Sequence, residues 1–238
     1  MSVSLSLGDL EIEVVHKGIK NLHLSVHPPE GRVRIAAPPR MKLDLIRLYA
    51  ISKLPWIRRQ QTALRAQARE TPREYVSRES HDVWGKRYLL EVIERESRPS
   101  VEVARGALVM HHRPKTSVVK RHEVMSRWYR DQLRAEAMPL VAKWSKRLKL
   151  NVRQVFIRSM KTKWGSCNAR RRTIRLNTEL AKKSLRCLDY VVLHELAHLM
   201  DPTHGKRFRT VLDREFPHWN HVRAELNRAP LGFTEWGC

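Results

Sequence analysis

The chain has 238 residues, 42% of them hydrophobic, which suits one large domain or two small ones with a sizeable core. Its 47 Lys and Arg against 24 Asp and Glu leave a formal net charge of +23, which predicts attraction to phosphates or acidic proteins and says nothing about fold. Composition excludes two classes. No uninterrupted run of about 18 apolar residues is present to span a membrane, and three scattered cysteines, Cys167, Cys187 and Cys238, do not make a disulfide scaffold. The N-terminus also lacks the basic and apolar regions of a signal peptide, so the expected location is cytoplasmic.

Residues 10–35 alternate polar and apolar in three stretches, around Glu11–Val15, Leu22–Val26 and Arg32–Ala36, the period of half-buried antiparallel strands. Lys17-Gly18 and Pro28-Pro29-Glu30-Gly31 supply the turns. From Leu43 to Ile57 the apolar spacing becomes helical, one helix or two broken at Pro55, with a basic face continuing to Arg69 and a stop at Thr71-Pro72. Short strands return at Tyr88–Ile93, Ser100–Val103 and Ala107–Met110, with turns at Trp84–Arg87 and Gly106. A long helix over 120–150 follows, its stripe made of Val124, Trp128, Leu133, Ala137, Leu140, Val141, Trp144 and Leu148, with a kink or split at Pro139. Strands at 152–157 and 173–177 flank Trp164-Gly165-Ser166-Cys167. A helix over 185–200, ended by Pro202, and two closing helices complete the chain. No sequence repeat is visible. The fold class is α+β: a β-rich N-terminal part, 1–119, with a helical insertion around 41–70, then a mainly helical part, 120–238, with a small sheet.

The chemistry concentrates at His194-Glu195-Leu196-Ala197-His198, with a third histidine at His204. Residues four apart share one helical face, so His194 and His198 can address a common ion while Glu195 reaches a water beside it. Asp201-Pro202-Thr203 is a short turn able to end the helix and bring His204 back. Three imidazoles and a carboxylate that is not a ligand favour Zn2+ over harder ions, and a catalytic zinc keeps its fourth position open for water. Glu195 is then the candidate general base. A structural zinc would need a fourth ligand; Cys167 and Cys187 otherwise read as small buried residues and Cys238 as incidental, and the one of them that the family resemblance given below places beside the active-site helix, Cys167, is the candidate. His218, Tyr190 and His221 are candidates for steadying an oxyanion.

With His194–His204 in place, Lys163-Trp164-Gly165-Ser166-Cys167, Leu176-Asn177 and His204-Gly205-Lys206-Arg207-Phe208 follow in register, and on these pieces the chain resembles the YgjP-like metallopeptidase family. That family is a zincin group related to SprT-like and WLM-type proteases. The resemblance is densest over residues 150–228. It implies a zincin-like domain over 120–238, zinc-dependent peptide hydrolysis, and a cleft-wall strand at Trp164, Gly165 and Ser166 on which substrate backbone pairs and where glycine permits close approach, the alternative being a tryptophan packed under the active-site helix with Gly165 making a bulge. Arg209 departs from the family, whose members often carry an aromatic residue there.

Between Lys146 and Arg186 lie fourteen basic residues and one acidic residue, Glu179, with Arg170, Arg171 and Arg172 the densest group. That stretch reads either as a solvated basic loop or as a docking surface for DNA, RNA or an acidic protein. SprT-like relatives act on DNA-attached proteins and some family members are encoded beside restriction systems, so the resemblance implies nucleic-acid-linked proteolysis by analogy. The competing function is a basic nucleic-acid- or protein-binding module whose zinc is structural or vestigial.

Overall fold

A computed structural model describes residues 2–27, 31–66, 73–160 and 163–228. The turn at Pro28–Glu30, the stop at Thr71-Pro72, the basic face past Ala66 and Cys238 lie outside these residues. The chain forms two compact units, Met1–Arg69 and Glu70–Cys238, so the division falls earlier than the expected residue 119.

The first unit contains strands β1 (Ser2–Leu7), β2 (Leu10–His16), β3 (His23–His27) and β4 (Arg32–Ala37) and helix α1 (Leu43–Ala66). The strands lie in the order β1-β2-β4-β3. β3–β4 are antiparallel as expected, β1, which the alternation did not reveal, is antiparallel to β2, and β2 and β4 pair in parallel, Val14 opposite Ile35. Ile12, Val14, Val33 and Ile35 point inward and make a core with Ile46, Ala50 and Ile57 of α1. The helix runs through Pro55 without ending.

The second unit begins with β5 (Ser80–Val83), β6 (Lys86–Glu94), β7 (Ser100–Ala104) and β8 (Ala107–His112), followed by α2 (Val118–Leu148). Their order, β5-β6-β8-β7, with one parallel pair β6–β8 between two antiparallel ones, reproduces the first sheet, so a four-strands-then-helix topology occurs twice in a chain without sequence repeats. Trp84-Gly85 and Arg105-Gly106 close the two hairpins with positive φ at both positions, the turn whose twist suits tightly paired strands. Ser117 caps α2, and Met125, Tyr129, Leu133, Ala137, Val141, Trp144 and Leu148 are its buried line. Val124, Trp128 and Leu140, expected in that line, are half-buried at its margin. Pro139 does not interrupt the helix.

Three short strands follow, β9 (Gln154–Arg158), β10 (Gly165–Asn168) and β11 (Thr173–Asn177), in the order β10-β11-β9. A 3-10 turn (Thr178–Lys182) leads into α3 (Leu185–Ala197), and α4 (Lys206–Glu215) and α5 (Trp219–Arg228) close the unit. One apolar cluster joins β5–β8 to α2, β9, β11 and the three last helices, which is why the second sheet belongs with the C-terminal part rather than with the first sheet. At its centre is α3, whose Leu188, Val192, Leu193, Leu196 and Ala197 are completely covered.

Candidate metal centre and active site

α3 is held in register by its start. Ser184 caps it, accepting from the Cys187 amide, and Asp189 takes the indole N–H of Trp144 and the ammonium of Lys143 from α2. Its last turn presents His194 and His198 side by side, ring centroids 4.9 Å apart. After Ala197 the backbone tightens, the Met200 and Asp201 amides both reaching the Ala197 carbonyl. The Asp201 carboxylate then accepts from the Thr203 amide at 2.9 Å and from its hydroxyl at 2.8 Å, fixing the turn that returns His204. These two bonds hold the Asp201 carboxyl below the ordinary range.

The result is three imidazoles whose ligand nitrogens lie within 4.8 Å of one another. Phe208, buried on α4, forms a floor beneath them, 5.0, 4.7 and 4.8 Å from the rings of His194, His198 and His204. His198 Nδ1 is 3.2 Å from the Asp201 carbonyl, which can only accept, so Nδ1 carries the proton and Nε2 keeps its lone pair. His194 Nδ1 pairs with the Tyr190 hydroxyl at 3.3 Å. His194 Nε2 and His204 Nε2 are 3.3 Å apart. Nitrogens about 2.0–2.1 Å from a tetrahedral zinc sit about 3.3–3.4 Å from each other, so the spacing fits such an ion. Burial, with His198 and His204 alongside, pushes His194 down to about 3, and His204 is lowered mainly by burial. Both imidazoles are thus neutral at pH 7, the form that binds a metal.

Glu195 is 5% exposed, and burial raises its carboxyl to about 8 against the smaller opposing pull of Lys163. It fits because β10 runs past it with glycine at the contact. A Cβ on Gly165 would come 2.5 Å from Glu195 Oε1.

The family comparison covers this site and most of the chain: the model described as YgjP-like, metallopeptidase domain, matches residues 20–229. The chain belongs to the YgjP-like metallopeptidase family. It is therefore a metallopeptidase, a hydrolase acting on protein or peptide. None of the curated proteins matches it. Among solved structures it is similar to the metallopeptidase zymogen jannalysin of Methanocaldococcus jannaschii, at 25% identity over 38% of this chain and 92% of that one, TM-score 0.35. It is also similar to the metallopeptidase zymogen abylysin of Pyrococcus abyssi, at 22% identity over 40% of this chain and 99% of that one, TM-score 0.36. No described helix is long and apolar enough to cross a membrane.

Within this YgjP-like site the remaining candidates separate. Cys167 is half-buried on β10 and does not join the histidine cluster, the one group of three or more such donors among the described residues. Burial, and then Glu195, raises its thiol to about 11. Cys187 is buried under the start of α3, its thiol also raised to about 11 by burial. Trp164 packs at the margin of the core, its carbonyl taking the Asn177 amide at 2.9 Å. Tyr190 is engaged with His194, while His218 and His221 are exposed and lie against each other, ring centroids 6.0 Å apart.

Two residues have roles that motif reading missed. Asn177, wholly buried, gives both amide hydrogens to the Met160 and Lys163 carbonyls, each at 2.8 Å, and accepts from the Met160 and Glu179 amides, each at 3.2 Å. It pins both ends of the loop that delivers β10 to Glu195. Arg223, on α5, lies near enough for its charge to lower His194, His204 and Tyr190 alike. Nothing in its sequence spacing marks it, because α5 reaches the site only through tertiary packing.

Proposed function

We propose that this chain is a zinc-dependent peptidase in which His194, His198 and His204 hold the ion and Glu195 is the general base. The observation that carries the reading is the convergence of three imidazoles, His194 and His204 with their Nε2 atoms at the spacing of a tetrahedral zinc, beside a buried carboxylate. Zinc held there supplies an acidified water and polarises the scissile carbonyl. Glu195 takes a proton at its carboxylate during attack and returns it to the departing amine; its raised proton affinity suits both halves of that task. Tyr190 and the Asp201 carbonyl orient the His194 and His198 rings from behind.

Substrate lies along β10. In the order β10-β11-β9 this strand is terminal, so its outer edge offers unpaired backbone groups to an extended peptide. Trp164, Gly165 and Ser166 form that contact, and Gly165 brings the peptide close to Glu195. Nucleic acid is the second partner, reached through Arg170, Arg171 and Arg172, all exposed in the β10–β11 turn and none with a carboxylate partner among the described residues. The enzyme acts in a reducing cytoplasm on nucleic-acid-associated proteins, consistent with free thiols at Cys167 and Cys187.

The test is a proteome-wide cleavage comparison of wild type with Glu195→Gln, with metal content measured on the same samples. The expected result is about one zinc per chain in both proteins and a loss of cleavage on the order of 100-fold or more in the variant. Undiminished cleavage by Glu195→Gln would sink the assigned mechanism.

A further inference from the structure

The strand residues of β9 sort by face. Val155 and Ile157 pack toward the core of the second unit, while Gln154, Phe156 and Arg158 alternate to the opposite side. Phe156 belongs to neither apolar cluster and is only half-buried. Register places Ser166 of β10, Arg175 of β11 and Phe156 in one row across the sheet. The Arg158 and Arg175 guanidiniums stand 5.9 and 5.8 Å from the Phe156 ring centroid. At one end of the sheet are Arg170, Arg171 and Arg172, together with Arg153, whose amide bonds the Arg172 carbonyl at 2.8 Å.

These six arginines are exposed, and none has a carboxylate partner among the described residues. The one acidic side chain of the region, Glu179, is taken by Lys182 at 2.8 Å.

A strand pattern that turns an aromatic ring away from the core, flanks it with two arginines and sets four more at the end of the same sheet has a cost in exposed apolar surface and in charge repulsion. A ligand with a flat π face and a regular line of negative charges relieves both. We infer that the outer face of the β10-β11-β9 sheet binds single-stranded nucleic acid, with an unpaired base stacked on Phe156 and the phosphates on the surrounding arginines. The inference deepens, and rests on, the nucleic-acid contact proposed above.

The ligand class follows from the pairing of groups. An acidic peptide would satisfy the arginines and leave the ring unused. A duplex offers phosphates but hides its base faces in the stack. A single strand offers both, and planar guanidinium forks suit phosphate better than lysine would. Gln154 and Ser166 on the same face, and Thr173 in register with Gln154, place amide and hydroxyl groups where base edges would lie.

The experiment is anisotropy titration of the full chain against labelled 15-mers of dT and of rU, a 15-base-pair duplex, and poly-glutamate. The proteins are wild type, Phe156→Leu, Phe156→Trp and Arg170→Gln/Arg171→Gln/Arg172→Gln. Phe156→Leu changes no charge. It should weaken single-strand binding about 5- to 150-fold, the worth of one stacked base, with the slope against log salt unchanged. Phe156→Trp should restore it, duplex and poly-glutamate should not respond, and the dT and rU arms tell DNA from RNA.

Wild-type affinity in Phe156→Leu, with loss only in the arginine variant, overturns the platform and leaves the turn contact standing. No binding by wild type removes both. Poly-glutamate binding that falls with Phe156→Leu overturns the inference in favour of an acidic protein partner. Photocrosslinking of a 5-iodouracil strand to wild type is independent of variant folding: adducts should map to Phe156, and adducts only outside residues 153–175 refute the assignment.

Discussion

Gly165→Ala is the sharpest test of how the active site is assembled. An alanine Cβ there would lie 2.5 Å from Glu195 Oε1, 2.7 Å from Cγ and 2.8 Å from Cδ. Ordinary contact begins at 3.4 Å, so the two groups must separate by about 0.9 Å. Glu195 is buried on a helix whose neighbours are themselves fully covered, and β10 is pinned by Asn177, so neither side yields without carrying part of the site along. Displacing a catalytic group by about 1 Å costs roughly 100-fold in rate. The three atoms nearest the added Cβ all belong to Glu195 and none to a histidine. On the zinc-peptidase reading proposed above, the variant should therefore keep its zinc, with unchanged affinity in a chelator competition, and lose about 100-fold in peptide-library cleavage. Placing Gly165→Ala in a Glu195→Gln background separates cause from coincidence: if the glycine acts through the carboxylate, the second change adds little. Full activity in Gly165→Ala refutes the reasoning, and loss of zinc would assign Gly165 to the metal site instead.

In metal-free protein, Glu195, raised to about 8, binds more protons folded than unfolded between about pH 4.5 and 8, so its contribution falls as pH rises through that window. His194, lowered to about 3, binds fewer protons folded than unfolded between about pH 3 and 6.5 and contributes the opposite slope. Glu195→Gln removes only the first: urea melts should show the metal-free variant under about 1 kcal/mol more stable at pH 5 and on the order of 3 kcal/mol more stable at pH 7, whereas a pH-independent difference would contradict the burial argument. Asn177→Ala leaves two carbonyls and two amides without their partner and should cost about 2–4 kcal/mol in denaturant unfolding, with cleavage lost more steeply than stability because β10 is released. Cys167→Ala should retain zinc and activity, and the Cys167 thiol, raised to about 11, should alkylate slowly at pH 8; loss of zinc would make it a ligand. Arg223→Gln should lower turnover while leaving zinc content unchanged, and equal turnover would reduce the arginine to a bystander.

How much of this was legible in the sequence depends on the range of the interaction. The His194, Glu195 and His198 relation is set by helical geometry within five residues, and His204 by a turn that Asp201 and Pro202 announce, so both could be read directly. Strands β2, β3 and β4 were legible from alternation, and helices α1 and α2 from period, although proline suggested breaks that the packed helices do not make. Parallel pairing of β2 with β4 and of β6 with β8 was not, because alternation fixes which face is buried and leaves strand direction open. The same blindness hid the repeated sheet topology: two sets of strands share an order without sharing residues.

The active site shows the same division in its chemistry. Gly165 was visible as a position that permits close approach, but its sequence separation from Glu195 concealed that the approaching group is the enzyme's own carboxylate. That distinction changes what the strand does. A glycine serving substrate alone would tolerate alanine at the expense of peptide affinity, raising KM. One that houses the proposed general base should lose kcat instead, because the displaced group would act on the reacting atoms rather than on the ground-state complex. Asn177 belongs to the same logic one step further out: a fully buried amide with all four bonds inside the protein has no capacity left for substrate, so its place beside the cleft follows from holding β10 at the distance that Gly165 and Glu195 require.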